Sequence, residues 1–165
     1  VGIYAVQIAK ALGATVIGVC GSANVEMVRR LGADRVIDYT TEDFTSGAET
    51  YDLIFDTVGN HSFTQLRRVL APTGVVVPIG KASLGVMVAG MIRSLFTPQK
   101  DVRFVYTANR EDLLSLAALI EAGKLTTVID RTYRLDQTPE AMTYVGSRHA
   151  RGKVVILVTP DAENA

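Results

Sequence analysis

Few residues in this 165-residue sequence are disposed for side-chain chemistry, and the sharpest signal is made of backbone. Val1 and Gly2 open a pattern in which Ile3, Val6, Ile8, Ala9 and Leu12 fall near helical spacing. Amide groups in the first turn of a helix, aided by its dipole, hold a phosphate without any side chain. The β-branched run Thr15–Cys20 and a second helical pattern follow, an order that suits the pyrophosphate turn of a dinucleotide-binding unit. Of a G-x-G-x-x-G fingerprint only the last glycine, Gly2, falls within the sequence. Taken alone, the Val-Gly pair reads as an ordinary helix start.

Other reactive side chains are isolated. Cys20 is the single cysteine, which excludes an internal disulfide framework and any multi-cysteine zinc site within the chain. It reads as a small buried strand residue. His61 opens a helix as a capping or surface residue, and His149 sits in a loop between Arg148 and Arg151. Asp38, Asp52 and Asp56 fall at strand edges, where capping carboxylates are common, and nothing pairs them as acid and base. No tyrosine is followed four residues later by lysine; Tyr106 and Tyr144 meet Arg110 and Arg148 instead. Between Gly74 and Gly80-Lys81 there is one residue too many for a triphosphate-binding loop, and Ala82 replaces its hydroxyl. Catalytic residues therefore stay unassigned, and no metal ligand is expected.

The elements that must position these residues alternate. Gly13 closes the first helix as a C-cap glycine and Thr15–Cys20 is a strand. Ser22 is placed to cap a second helix, with Val25, Val28 and Leu31 inside it and Gly32 as its stop. Strands follow at Arg35–Asp38, Asp52–Asp56 and Gly74–Ile79, the last two separated by a helix from Asn60 to Leu70. Strands that are apolar at nearly every position need both faces covered. With helical crossovers between them, they predict an α/β fold built on a doubly wound parallel sheet. Beyond Gly80 the rhythm changes. The sequence predicts a helix over Leu84–Phe96, a strand at Val102–Tyr106 and a helix from Asn109, capped with Asp112, to Ala122. A strand at Val128–Leu135, a helix opened by Thr138-Pro139 and a strand at Lys153–Val158 close the chain. The expected domain boundary lies near Ala108, dividing residues 1–108 from 109–165.

Composition narrows the function classes. Lys plus Arg and Asp plus Glu both number 17, so the chain lacks the basic excess that nucleic acid or an anionic membrane would demand. At 48% hydrophobic residues it is too apolar to be disordered. No apolar stretch is long enough to cross a bilayer. The lone cysteine suits a reducing, cytoplasmic setting.

Five ordered blocks carry a resemblance: VGIYAVQIAKALGATVIGVCGS (1–22), LGADRVIDY (31–39), YDLIFDTVG (51–59), RVLAPTGVVVPIG (68–80) and the tail from Asn109 to Val158. In order and spacing they resemble medium-chain dehydrogenase/reductases, and within them the zinc-independent, quinone-oxidoreductase-like branch. In that family a substrate lobe and the first Rossmann strand precede the position of Val1, so the chain reads as N-terminally truncated. The resemblance implies a Rossmann sheet lacking its first strand, followed from residue 109 by the C-terminal part of the substrate lobe.

The resemblance also implies a cofactor site. Val1 and Gly2 belong to its phosphate turn. NAD-specific relatives place an acid after the second Rossmann strand, where this chain has Cys20-Gly21-Ser22; the missing carboxylate leaves room for a 2′-phosphate. Ser22, Tyr39 and Arg148 match positions around that phosphate, while Val25 replaces a lysine often found there. Val58, Gly59 and Gly80 follow strands at the crevice expected to hold ribose and nicotinamide. Phe104 and Val105 match a segment near the nicotinamide. NADPH is the implied cofactor, a quinone, enone or aldehyde the implied substrate, and a homodimer through Val102–Tyr106 the implied assembly. A zinc-dependent alcohol dehydrogenase and a nucleotide-binding protein without turnover stay open as alternatives.

Overall fold

In the computed structural model, which describes residues 1–79, 98–102, 107–147 and 150–158, helices alternate with strands, and every strand pairing is parallel. Helix α1 (Gly2–Ala11) ends on Leu12, and Gly13 follows at φ +85°, a left-handed conformation that suits glycine. Strand β1 (Ile17–Cys20) leads through a 3-10 turn, Ser22–Asn24, into α2 (Val25–Arg30) and β2 (Arg35–Asp38). β1 and β2 pair from Ile17 opposite Arg35 to Cys20 opposite Asp38. Gly18 is buried where α2 crosses the strand; a methyl group there would run into Val28. The absent side chain is what lets the helix lie on the sheet.

The second group of strands repeats the pattern. β3 (Tyr51–Asp56) is followed by the short helix α3 (Phe63–Leu66), a 3-10 turn at Arg67–Val69, β4 (Leu70–Pro78) and β5 (Lys100–Asp101). Their spatial order is β3-β4-β5. The register slips between Tyr51 and Leu53, and a Cβ at Gly74 would sit 2.9 Å from the Tyr51 carbonyl oxygen. Leu66, Leu70 and Val76 form the buried centre, with Phe44, Ile54 and Phe63 packed on it. The remaining elements are α4 (Arg110–Glu121), β6 (Ile129–Arg134), α5 (Thr138–Gly146) and β7 (Lys153–Leu157), with β6 and β7 paired together.

The α/β class and the parallel sheet are as the sequence predicts. β2-β1 and β3-β4-β5 are the two flanks that the doubly wound order 3-2-1-4-5-6 places on either side of its first strand. Among the described residues no strand joins β1 to β3, and Val19, Leu53 and Phe55 remain 43%, 59% and 39% exposed. One buried polar side chain ties the start of the chain to its later part. Gln7, 6% exposed, donates through Nε2 to the Ile3 and Thr126 carbonyls at 3.1 and 3.0 Å. Its Oε1 accepts from the Thr126 amide and hydroxyl at 2.8 and 3.1 Å.

Several expected elements differ in extent. The helix expected from Asn60 to Leu70 shrinks to α3 and the turn after it, because Ser62 forms the N-terminal cap and Leu70 already enters β4. Ser22 does not cap α2; its hydroxyl meets Thr40 at 3.0 Å instead. The helix at Leu84–Phe96 lies outside the described residues, and of the strand at Val102–Tyr106 only Val102 lies within them, its amide bonded to the Val76 carbonyl at 2.8 Å. No helix among the described residues is long and apolar enough to cross a membrane.

Candidate functional site

Parallel pairing gathers the candidate residues by bringing the carboxyl ends of neighbouring strands to the same side. At the end of the β1–β2 pair, the Tyr39 amide donates to the Cys20 carbonyl at 3.1 Å, which extends the ladder past Asp38. Gly21 and Ser22 leave β1 beside Tyr39 and Thr40 leaving β2. The Tyr39 hydroxyl lies 2.9 Å from the point a Cβ on Gly21 would occupy. Glycine at position 21 therefore gives the Tyr39 ring its place, and Tyr39 remains 65% exposed.

Asp38 organises this tip. Its Oδ1 accepts from the Thr40 amide at 2.9 Å and from the Thr40 hydroxyl at 2.7 Å, a turn built by an aspartate on its own backbone. Hydrogen bonds from the Ser22 hydroxyl, then from the Thr40 amide and hydroxyl, hold the Asp38 carboxyl below the usual aspartate range. Cys20 lies next to this charge. Burial, and then the Asp38 carboxylate, push its thiol above the ordinary value, so it is no activated nucleophile.

At the end of the β3–β4 pair, the Ile79 amide donates to the Asp56 carbonyl at 2.7 Å. The Asp56 side chain accepts from the Val58 and Gly59 amides at 3.1 and 2.8 Å, and Gly59 takes φ +76°. Those two amides are thus spent on Asp56. What the turn offers to a ligand is its carbonyls and the Val58 side chain, 77% exposed. Asp56 and Asp38 both act as local caps, as their positions at strand ends suggest.

The first turn of α1 carries no acid, and helical first-turn amides without a competing carboxylate suit a phosphate. Ser22 and Tyr39 come together at one strand pair and Val58 and Gly59 at another. Gly80, Phe104, Val105, Arg148 and His149 lie outside the described residues. The Arg151 amide and the Tyr144 hydroxyl both donate to Asp130, at 2.9 and 2.7 Å. The Arg131 guanidinium lies 3.8 Å from the centre of the Tyr144 ring.

The sequence reading passed over Gly21, Asp38 and Thr40 as members of this site. The Asp-Tyr-Thr spacing after a strand, an aspartate two residues before a hydroxyl, is the signal that identifies them. His61 packs edge-on against Phe44, with ring centroids 5.1 Å apart, and reaches none of these groups. A hollow of about 560 Å³ is lined by Arg131, Tyr133 and Tyr144 of β6 and α5 and by none of these strand-tip residues. Among the described residues no three His, Cys, Asp or Glu side chains converge as metal ligands.

Comparison with known proteins gives these positions a context. Residues 31–156 match the model of a family described as zinc-binding dehydrogenase. The chain is 34% identical to the mitochondrial NAD(P)H oxidoreductase RTN4IP1 of Mus musculus, over 96% of the chain and 45% of that protein. It is 31% identical to the chloroplastic quinone-oxidoreductase QR1 of Triphysaria versicolor, over 94% of the chain and 49% of that protein. Among solved structures, the quinone oxidoreductase from Coxiella burnetii superposes with a TM-score of 0.79 at 28% identity, over 94% of the chain and 49% of that one. The chain spans about half the length of these relatives.

Proposed function

The chain belongs to the zinc-binding dehydrogenase family of medium-chain dehydrogenase/reductases, and from that premise we propose that it serves an NADPH-dependent oxidoreductase acting on quinones or activated double bonds. In this reading residues 1–108 bind the dinucleotide and residues 109–165 belong to the substrate lobe. The observation that carries it is the exposed Tyr39 hydroxyl held beside Gly21, at the tip of a strand that ends without an acid. That end of the sheet is where open α/β folds hold their ligands.

Val1 and Gly2 would hold the pyrophosphate through the first-turn amides of α1. Ser22, Tyr39 and Arg148 would surround the adenosine 2′-phosphate, and Val58, Gly59 and Gly80 would line the crevice toward the nicotinamide. When bound, the cofactor supplies a hydride to an electron-poor carbon or a quinone. This chain's part is to fix the reactive face of the ring and to exclude water from it. Cytoplasmic location and homodimerisation through the strand at Val102–Tyr106 complete the proposal. Support for the first is the lone cysteine, and for the second the hazard of an unpaired apolar edge strand.

The test is calorimetric titration of the full-length protein with NADPH and NADH, followed by turnover with a quinone. One charge-assisted hydrogen bond to the 2′-phosphate contributes roughly 1.5–3 kcal/mol, or a preference for NADPH of about 10- to 150-fold. Arg148→Ala should remove much of that preference and leave NADH binding nearly unchanged. Tighter binding of NADH overturns the choice of cofactor, and absence of quinone or enone reduction overturns the activity.

A further inference from the structure

We infer that Asp38 is a specificity-determining residue at the adenosine end of the site: acting through Thr40, it turns the Ser22 hydroxyl into a hydrogen-bond acceptor and so favours a free ribose 2′-hydroxyl over a 2′-phosphate at that position. This deepens the cofactor reading above and rests on it.

The argument is an account of protons. A carboxylate accepts hydrogen bonds and donates none, and a hydroxyl has one proton to give. The Thr40 hydroxyl lies 2.7 Å from Asp38 Oδ1, so its proton is spent there. Ser22 Oγ lies 3.0 Å from Thr40 Oγ1. With the Thr40 proton committed, Ser22 must be the donor in that contact, and its own proton points inward as well. Hydrogen bonding from the Ser22 hydroxyl also helps keep the Asp38 carboxyl ionised. Whether the Ser22 proton goes to Thr40 or to Asp38, only lone pairs remain for a ligand. A ribose hydroxyl can donate to them. A phosphate dianion presents only acceptor oxygens there, and meets a fixed negative charge behind the pair.

The site then contains opposed parts. Tyr39, with its exposed hydroxyl, favours the 2′-phosphate, while the Asp38–Thr40–Ser22 relay opposes it. The second Rossmann strand lacks a terminal acid, yet an acid reaches the same place from the end of the neighbouring strand, because the parallel register sets Asp38 opposite Cys20.

The experiment titrates the full-length protein and its variants with NADPH and NADH by calorimetry. Asp38→Asn removes the charge and keeps an oxygen to accept from Thr40. The ratio of NADPH to NADH affinity should rise by about fivefold, the effect of one nearby exposed charge, and the gain should shrink in about 0.5 M salt. Ser22→Ala in the otherwise native protein should weaken NADH more than NADPH. In the D38N background Thr40 still spends its proton on the asparagine oxygen, so the same change should again weaken NADH more than NADPH. An unchanged ratio in D38N overturns the inference, as does a Ser22→Ala loss that falls first on NADPH. If D38N does not fold, the Ser22→Ala result decides alone. An NADH preference in the native protein, with the ratio still moved by D38N, defeats the NADPH reading and leaves the role of Asp38 standing.

Discussion

Replacing Gln7 with alanine should separate α1 from the segment at Thr126 and lower stability measurably. The amide of Gln7 makes three bonds to Thr126 and one to the Ile3 carbonyl, all between 2.8 and 3.1 Å, and the residue is 6% exposed. A neutral hydrogen bond contributes about 0.5–1.5 kcal/mol net. Thr126 itself is exposed, so water recovers part of the loss. Alanine also returns a few tenths of a kcal/mol through its higher helix propensity. The balance is a destabilisation of about 1.5–3 kcal/mol, or roughly 3–10 °C in Tm. Thermal unfolding followed by circular dichroism reads this directly. Thr126→Ala should cost less, since it removes only the hydroxyl's bond, and combining it with Gln7→Ala should add almost nothing. Gln7→Glu supplies a second arm: its carboxylate accepts from Thr126 but faces the Thr126 carbonyl without a proton to offer. That variant should regain stability as the pH falls toward 4, where the glutamate protonates. A Gln7→Ala protein that melts within about 1 °C of the native one refutes the clamp.

Two further outcomes follow from the geometry. Hydrogen bonds hold the carboxyls of Asp34, Asp38, Asp43 and Asp130 below the usual range, led by the Val16 amide for Asp34 and the Tyr144 hydroxyl for Asp130. Because folding lowers these values, their stabilisation is complete above the unfolded value of about 3.9 and is lost as pH falls through the lower folded ones; Tm should stay level above about pH 5 and drop below about pH 4, and a level profile down to about pH 2.5 would contradict it. Gly18→Ala should force α2 off β1 by crowding Val28, at about 1–3 kcal/mol, and Val28→Ala should restore most of the loss in urea unfolding; an unchanged urea midpoint in Gly18→Ala would show that the helix has room to move.

What could be read in the sequence was whatever depends on neighbours along the chain. The Asn109–Asp112 cap, the glycine stops at Gly13 and Gly32 and the strand Arg35–Asp38 all appear as the residues suggest, because each is decided within one turn or one run. The helix after Asn60 was overextended because Leu66 and Leu70 share one buried cluster yet belong to different elements, α3 and β4. Gln7 looked like a polar interruption of an apolar helix; its partner lies 119 residues away, and no local pattern announces it. Ser22 and Tyr39 were legible as candidates at one strand tip, but their neighbours Asp38 and Thr40 were not. Their part depends on a register between strands that the residues of either strand alone do not reveal.

The division of the strands into β2-β1 and β3-β4-β5 has a kinetic meaning. Ile17 and Arg35, the first paired residues of one group, are 18 positions apart, and Tyr51 and Leu70 of the other are 19 apart. Closure entropy grows only with the logarithm of loop length, so the two units form at nearly equal entropic cost. Neither needs the other's ladder in order to begin, and each is a cooperative unit of the kind that opens and closes locally. Damage to one, such as crowding at Gly18, therefore stays within its own unit, and substitutions placed in different units add in their effects on stability.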